Sequence, residues 1–229
     1  MTNIKTRYSE RYSAQDAQHI YPVEFVVRAF LGTYPELKMD RRRYAASNVL
    51  DLGFGDGRNM PLLKNLGFVI YGVEIDENIT RAADDRLSRI GIDADLRVGA
   101  NSRIPFENHF FEHVLACHSC YYVEDGTTFR DNLQEIHRVL KDKGVFICSL
   151  PMRDTYILNG AEPVGGGHWR IKNDPYGLRA GTVFRAFENE SEIRHEFGPF
   201  FSDSKIGFCD DFYWGIRQKV WIVVCEKRR

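Results

Sequence analysis

The sequence predicts an α/β fold in which helices cover both faces of a mostly parallel sheet. From Asn48 onward, short apolar segments alternate with segments of helical periodicity. That alternation is typical of parallel strands that are joined by helices and buried on both faces. With 229 residues, of which 43% are hydrophobic, the chain is long enough to form one well-buried domain.

Seven strands are predicted, and each is rich in Val, Ile, Leu or aromatic residues. The first five read NVLDLG, FVIYGVEI, DLRVG, HVLACH and GVFICSL, and Gly, Asp or Asn bounds each of them. Two more strands, SKIGFCDDF and KVWIVVCE, lie in the last part of the sequence.

The helices between these strands carry start and stop signals. Arg58–Leu66 begins after a group of glycines and has Pro61 in its first turn, where a missing N–H costs little. Glu77–Ile90 has apolar residues at helical spacing and stops at Gly91. Phe129–Leu140 carries one apolar stripe and is followed by KDKG, which suits a helix end. A further helix is predicted in NESEIRHEF.

We divide the single predicted domain, residues 1–229, into four segments. Residues 1–44 are expected to form a helical cover, because Tyr12–Leu37 has an apolar stripe. Residues 45–150 contain the core sheet. Residues 151–188 are rich in Gly and Pro without a clear period, which predicts a long loop or lid, and residues 189–229 supply the last strands.

The charge, hydropathy and cysteine content of the chain limit the classes of function to be considered. The formal net charge is −1, whereas an enzyme of nucleic acids more often has a basic surplus, so we expect no nucleic-acid partner. The first residues are polar, and nowhere do about 18 apolar residues run together, so we expect a soluble, cytoplasmic protein without membrane contact. The five cysteines are an odd number, and we expect reduced thiols.

Three glycines at alternate positions, Gly53, Gly55 and Gly57, lie between the first strand and the first helix of the core. This arrangement brings a ligand against bare backbone at a helix N-terminus. The dinucleotide motif Gly-x-Gly-x-x-Gly requires a glycine where the sequence has Arg58. The phosphate loop requires a Gly-Lys-Ser/Thr sequence that does not follow here.

Two acids near these glycines indicate a cationic nucleoside instead. Asp51 precedes the glycines, where its carboxylate would repel a pyrophosphate but attract an ammonium group. Glu74 ends the second strand, placed to accept both hydroxyls of a ribose. A nucleoside that carries an amino acid meets both requirements, and S-adenosylmethionine is one.

Four segments resemble the consecutive motifs of class I S-adenosylmethionine-dependent methyltransferases, of the small-molecule type. They read VLDLGFGDGRN, YGVEID, VGANSRIPFENHFFEHVLA and NLQEIHRVLKDKGVFICS, and their order and spacing match the family over residues 45–150. The resemblance implies a Rossmann-like seven-stranded sheet in which KVWIVVCE runs opposite to the other strands. It also implies S-adenosylmethionine as the cofactor.

The resemblance assigns cofactor contacts to residues of this sequence. It implies that Gly53, Gly55 and Gly57 let the backbone approach the methionine end, with Asp51 near the ammonium group. It implies that Glu74 binds the ribose. The remaining contacts are expected from Ile75 against the adenine ring, from Cys117 after the fourth strand, and from Asn101 and Ser102.

The adenine contact departs from the family pattern. Family members often have an acid after the glycine of this motif, where the sequence has Ala100. We expect Asn101 to bind the amino group of adenine in place of this acid, because its side-chain oxygen accepts the same hydrogen bond as a carboxylate would. Ser102 is the next residue in the sequence.

The segment after the fourth strand, ACHSCYYVED, contains a Cys-x-x-Cys pair, Cys117 and Cys120. A redox pair normally opens a helix after the first strand of its own fold, and a zinc site needs four ligands. The sequence has no second Cys-x-x-Cys and no paired histidines. Packing is therefore the favoured interpretation, and no metal is predicted.

Candidate catalytic residues are sought near the transferred methyl group. Positioning supplies most of the acceleration in a direct displacement, but a hydroxyl acceptor also needs a base. His118 after the fourth strand and His168 in the predicted lid are the candidates, although an ordinary polar histidine is the favoured interpretation of each. Two interpretations stay open for five tyrosines: they line an acceptor pocket, or they pack as ordinary aromatic residues. These tyrosines are Tyr8, Tyr12, Tyr21, Tyr121 and Tyr122.

We therefore predict an enzyme that transfers a methyl group from S-adenosylmethionine to a small-molecule acceptor. The acceptor atom is expected to be an oxygen of a sugar, a polysaccharide precursor or a secondary metabolite. The alternatives are methylation of RNA or protein, and a nucleoside-binding regulatory domain without catalysis. A dehydrogenase is a further alternative, against which Arg58 argues.

Overall fold

A computed structural model of the chain describes residues 4–13 and 20–229. It contains eleven strands in these ranges: β1 (Asn48–Leu52), β2 (Val69–Glu74), β3 (Asp95–Val98), β4 (Phe111–Ala116), β5 (Tyr122–Val123), β6 (Leu140–Pro151), β7 (Glu162–Gly165), β8 (His168–Arg170), β9 (Val183–Arg185), β10 (Phe201–Tyr213) and β11 (Ile216–Lys227). The same ranges contain six α-helices: α1 (Ile4–Ser13), α2 (Glu24–Leu31), α3 (Met60–Asn65), α4 (Glu77–Arg89), α5 (Phe129–Val139) and α6 (Glu190–Phe197).

The central sheet has seven strands in the order β10-β11-β6-β4-β1-β2-β3. The pairs among β3, β2, β1, β4 and β6 are parallel, whereas β11 is antiparallel to both of its neighbours. The predicted seven-stranded sheet with one reversed strand is confirmed. Its reversed strand contains the sequence KVWIVVCE.

Two apolar clusters cover the two faces of this sheet. Along β1, Leu50 and Leu52 belong to one cluster and Val49 to the other, since successive side chains of a strand point to opposite faces. Helices α5 and α6 contribute to the cluster of Leu50, and helices α2, α3 and α4 to that of Val49. Asp51 shares the face of Val49, so its carboxylate points into an apolar layer.

The predicted core helices are confirmed with small shifts of their ends. Asp76 caps α4 by accepting from the backbone N–H groups of Asn78 and Ile79. Thr128 and Asp131 form a reciprocal capping box at α5. The end of α5 differs from the prediction, because β6 begins directly at Leu140 and KDKG forms its first residues rather than a turn.

The N-terminal cover is less helical than predicted. Helix α2 is short, and residues 32–37 contain no helix. Residues 14–19 of the predicted Tyr12–Leu37 segment lie outside the described residues. The side chains of α2 still bury an apolar stripe, formed by Phe25, Val26, Ala29 and Phe30.

The segment 151–188 is more ordered than the predicted loop or lid. It contains a 3₁₀ turn at Tyr156–Leu158 and three strands, which join β5 in an antiparallel sheet of order β5-β9-β8-β7. Because β5 follows β4 closely, this small sheet is fixed beside the carboxyl ends of the core strands. No helix among the described residues is both long and apolar enough to cross a membrane.

Candidate functional site

A cavity of about 1370 Å³ opens where β1, β2 and β4 end. The carboxyl ends of parallel strands are the usual place for a ligand in an open α/β sheet. Its walls come from the segments that follow these strands, from α1 and α2, and from the small sheet. The volume of the cavity is large enough to hold a nucleoside and a second molecule side by side.

The glycine loop forms one wall of the cavity. Gly53, Gly55 and Gly57 have φ angles of 69°, 57° and 75°, a conformation that other residues rarely adopt. A Cβ atom at Gly53 would lie 2.4 Å from the Cβ of Ser119, so this glycine also allows the loop to pack against the segment after β4. Gly53 and Gly55 line the cavity, whereas Gly57 faces Leu87 of α4 and does not.

Glu74 holds the glycine loop from the end of β2. Its carboxylate accepts hydrogen bonds from the backbone N–H of Gly55 at 3.0 Å and of Ile75 at 2.8 Å. Burial raises the pKa of this carboxyl group, and the two N–H donors oppose the rise. Since each carboxylate oxygen has two lone pairs, Glu74 retains acceptor capacity toward the cavity that it lines.

Asp51 lies behind the cavity wall rather than on it. Its side chain is 0% exposed, and neither carboxylate oxygen has a hydrogen-bond partner among the described residues. Burial raises the pKa of Asp51 to about 7, with smaller contributions in the same direction from Asp56 and Glu74. The amide of Asn59 opposes this rise, although it lies outside hydrogen-bonding geometry to either oxygen.

The residues expected to contact adenine fall into two groups. Ile75 and Asn101 line the cavity. The side-chain nitrogen of Asn101 donates to the carbonyls of Ser119 and Tyr122, at 2.9 Å and 3.3 Å, which leaves its oxygen as the group available to a ligand. Ser102 is not part of the lining, and its hydroxyl donates to Glu124, which is.

The Cys-x-x-Cys pair is divided between the two faces of the sheet. Cys117 packs against the cluster of α2 and lines the cavity, whereas Cys120 belongs to the opposite cluster. Burial raises the pKa of the Cys117 thiol, so it stays protonated at neutral pH. The interpretation of these residues as packing is supported, since the two thiols face different layers.

Among the described residues, His118 is the histidine that lines the cavity. It has a φ of 56°, and its ring meets Phe25 of α2 edge-on at 5.6 Å between centroids. Burial, with smaller contributions from Arg179 and Arg58, lowers the pKa of His118 to about 4. His118 is therefore neutral at physiological pH.

Ser149 determines the tautomer of His118. The Ser149 hydroxyl accepts from the His118 backbone N–H at 2.9 Å and lies 3.0 Å from ring Nδ1. Among the described residues, Nδ1 is the acceptor within reach of the hydroxyl hydrogen. We therefore assign Ser149 as donor to Nδ1, which leaves the ring proton of His118 on Nε2.

His168, the other predicted base, does not line the cavity. It lies in β8, where its Nδ1 is 3.1 Å from the carbonyl oxygen of Gly165 and its Nε2 is buried without a partner among the described residues. The prediction assumed that the glycine-rich segment is a mobile lid. In the structure β8 pairs with β7 and β9, which holds His168 within the small sheet.

Tyrosines and one arginine wall the far end of the cavity. Tyr8 of α1 lies 2.7 Å from Tyr122, oxygen to oxygen, and Arg179 donates to the hydroxyls of Tyr8 and Tyr156. Tyr121 stacks on Tyr122 with ring centroids 5.1 Å apart. The acceptor-pocket interpretation gains support for these tyrosines. Tyr21 is 73% exposed and outside the lining, and the side chain of Tyr12 lies outside the described residues.

Comparison with known proteins decides the family. Residues 50–148 match the family model described as "Methyltransferase domain". A Mycolicibacterium smegmatis protein named "probable S-adenosylmethionine-dependent methyltransferase" is 27% identical to this chain over 131 residues. Residues 50–148 are a methyltransferase domain, by the description of the family model that they match. S-adenosylmethionine, which the name of the relative specifies for that protein, is the cofactor that the sequence motifs imply for this domain.

The aligned part covers 57% of this chain and 48% of the Mycolicibacterium smegmatis protein. The chain thus spans about half the length of the curated relative that it matches.

Solved structures share the fold of the methyltransferase domain at low sequence identity. A Methanosarcina mazei S-adenosylmethionine-dependent methyltransferase has a TM-score of 0.66 at 17% identity, over 85% of this chain and 98% of that one. A chain from the complex between the Haloferax volcanii Trm112 methyltransferase activator and a methyltransferase has a TM-score of 0.64 at 15% identity, over 99% and 98%. At such identities these likenesses concern the fold alone.

The cleft at the glycine loop fits the cofactor of this domain. Gly53 and Gly55 present bare backbone, Glu74 presents carboxylate lone pairs, and the unpartnered carboxyl group of Asp51 lies behind them. The ribose of the cofactor offers hydroxyl donors to Glu74. Its cationic amino-acid end would favour the ionised form of Asp51, whose pKa is about 7.

Proposed function

We propose that the protein transfers a methyl group from S-adenosylmethionine to an oxygen atom of a small molecule, such as a sugar, a polysaccharide precursor or a secondary metabolite. The main support for this proposal is that the cavity is continuous between two compartments. It extends from the glycine loop to an aromatic compartment lined by Tyr8, Tyr121, Tyr122 and Tyr156. One compartment suits the cofactor, and the other suits an acceptor beside it.

The acceptor compartment is roofed, which favours a small molecule. Arg7 of α1 donates to the carbonyls of Gly177 and Ala180, and Tyr8 of the same helix contacts Tyr122. A folded RNA or protein would have to displace this roof. Acidic side chains also outnumber basic ones in the lining, with Glu24, Glu36, Asp56, Glu74, Glu124, Asp125 and Asp211 against Arg11, Arg28, Arg58, Arg179 and Lys205.

The cofactor contacts follow the geometry of the cleft. Glu74 accepts hydrogen bonds from the ribose, and the backbone of Gly53 and Gly55 lies against the methionine end. With a pKa of about 7, Asp51 is about half ionised at neutral pH, and the ammonium group of the cofactor would favour its ionised form across a buried, low-dielectric layer. Ile75 covers the adenine ring, and the oxygen of Asn101 accepts from its amino group.

When bound, S-adenosylmethionine supplies an electrophilic methyl group on a sulfonium. The tyrosine-lined compartment holds the acceptor in line with it, and positioning provides most of the acceleration. His118 acts as the base in its other tautomer, in which Nδ1 carries the ring proton and donates it to Ser149. To reach that tautomer, Nε2 releases its proton to solvent and Nδ1 takes one up. Nε2 then accepts the hydroxyl proton of the acceptor, and the resulting imidazolium returns a proton to solvent after methyl transfer.

The acceptor class is tested with methyl-labelled S-adenosylmethionine. We expect label to enter a pool of sugars, sugar nucleotides and small metabolites as an alkali-stable ether. Total RNA and a protein extract are offered in parallel reactions. Label in RNA or protein alone would replace this proposal by the macromolecular alternative. Binding of the cofactor without transfer to any pool would favour a regulatory domain.

Matched substitutions of His118 and His168 distinguish the roles of the two histidines. His118→Gln is expected to lower kcat at least about 100-fold, the usual worth of a proton-transfer group, while the KM for S-adenosylmethionine changes little. His168→Gln is the control and leaves kcat unchanged, since His168 lies outside the cavity. Because the pKa of His118 is about 4, the wild-type rate should not fall through protonation of this residue until the pH drops below about 5. A normal rate for His118→Gln would remove this residue from the mechanism.

A further inference from the structure

The far end of the cavity contains an arginine whose charge is only partly neutralised. Arg179 lies in the segment between β8 and β9, and 22% of its side chain is exposed, toward the cavity that it lines. Its Nε donates to Tyr8 at 3.3 Å, and its Nη1 donates to Tyr156 at 3.0 Å. These partners are neutral hydroxyls, so they orient the guanidinium without cancelling its charge.

Asp174 is the one acid in contact with Arg179 among the described residues, and it is a weak partner. The distance from Arg179 Nη1 to Asp174 Oδ1 is 3.4 Å. The carboxylate of Asp174 already accepts from the backbone N–H groups of Tyr176, Leu178 and Arg179, at 2.8–3.0 Å. Burial opposes ionisation of Asp174, but those backbone bonds and the charge of Arg179 lower its pKa overall, so the ionised carboxylate neutralises Arg179 in part while it also holds the loop.

Several donors around Arg179 have no acceptor among the described residues. Arg179 Nη2 makes no hydrogen bond there, and the hydroxyl of Tyr121 makes none either. The Tyr156 hydroxyl accepts from Arg179, so its own hydrogen remains to be donated. All three groups belong to residues that line the cavity.

From these contacts we infer that Arg179, Tyr121 and Tyr156 bind an anionic group of the acceptor. A carboxylate or a phosphate supplies several acceptor lone pairs and a negative charge. The planar edge of a guanidinium binds each of these anions through two parallel N–H groups. The acceptor would accordingly be an acidic sugar or a sugar phosphate rather than a neutral sugar. This inference rests on the proposed function, because it concerns the substrate of the same cavity.

The test measures binding of small anions to the protein saturated with S-adenosylhomocysteine. The probes are glucuronate for the carboxylate, glucose 6-phosphate for the phosphate, and glucose as the neutral compound. We expect one of the two anions to bind at least about 10-fold more tightly than glucose. Arg179→Gln should weaken that binding at least about 10-fold, and Arg179→Lys should weaken it less, since lysine keeps the charge but loses the planar fork.

Arg153→Gln serves as the matched control. Arg153 stacks on Trp169, with its Cζ atom 3.7 Å from the ring centroid, and it does not line the cavity. This variant should bind both anions as the wild type does. Equal anion binding by wild type and Arg179→Gln would overturn the inference, as would equal binding of all three probes to the wild type.

Titration of S-adenosylhomocysteine itself separates the two possible failures. If the wild type does not bind this nucleoside, the proposed function is wrong. If all variants bind it normally and anion binding is insensitive to Arg179, only the inference about the acceptor is wrong. Normal nucleoside binding by Arg179→Gln also shows that the variant is folded.

Discussion

Glu74→Gln is expected to lower the affinity for S-adenosylmethionine by at least about 100-fold, or about 2.7 kcal/mol. The glutamine amide places N–H donors against the N–H of Gly55 or Ile75, which both donate to the carboxylate in the wild type. The variant therefore loses a loop contact as well as charge-assisted bonds to the ribose, each worth about 1.5–3 kcal/mol. Isothermal titration calorimetry measures the change directly.

Glu77→Gln is the control for this substitution. Glu77 lies three residues further along the chain, on the exposed first turn of α4, where its carboxylate pairs with Arg81. It does not line the cavity, so cofactor affinity should be unchanged. Wild-type affinity in Glu74→Gln would show that the ribose binds elsewhere.

Gly53→Ala is expected to destabilise the fold by about 2–5 kcal/mol and to abolish cofactor binding. Two effects add. An alanine at a φ of 69° costs about 1–2 kcal/mol. Its Cβ would lie 2.4 Å from the Cβ of Ser119, and relief of such overpacking typically costs a further 1–3 kcal/mol, roughly. Chemical denaturation reports the free energy of unfolding.

Gly91→Ala separates these two effects. Gly91 has a φ of 72°, close to that of Gly53, but a Cβ there would meet no atom within 4 Å. This variant should lose only the conformational part, about 1–2 kcal/mol. In Gly53→Ala, a second substitution, Ser119→Gly, removes the clashing Cβ and should restore part of the stability. If Gly53→Ala and Gly91→Ala were equally destabilised, close packing of the glycine loop would not be its constraint.

The core sheet could be predicted from the sequence because its signals are local and redundant. Each parallel strand is a short apolar run, and each following helix begins or ends with a cap or a glycine, as at Asp76 and Gly91. The small sheet could not be predicted in this way. Its strands are two to four residues long, β7 contains Pro163, and pairing with β5 depends on residues about 60 positions apart.

The sequence predicts those parts of the candidate site that depend on backbone conformation. Gly53, Gly55 and Glu74 are recognisable because a bare loop and an acid at two strand ends form a spaced pattern. The covered position of Asp51 and the distance of His168 from the cavity depend on packing, which one sequence does not display. Arg179 carried no local signal, since its partners Tyr8 and Tyr156 are brought to it only by the tertiary fold.

The central claim is that S-adenosylmethionine binds across the ends of β1 and β2. A crystal structure of the protein with S-adenosylhomocysteine tests it most directly. We predict ribose hydroxyls at hydrogen-bonding distance, about 2.5–3.0 Å, from the Glu74 carboxylate, with the amino-acid end over Gly53 and Gly55. A nucleoside bound away from Glu74, or a cleft too closed to admit it, would contradict the claim.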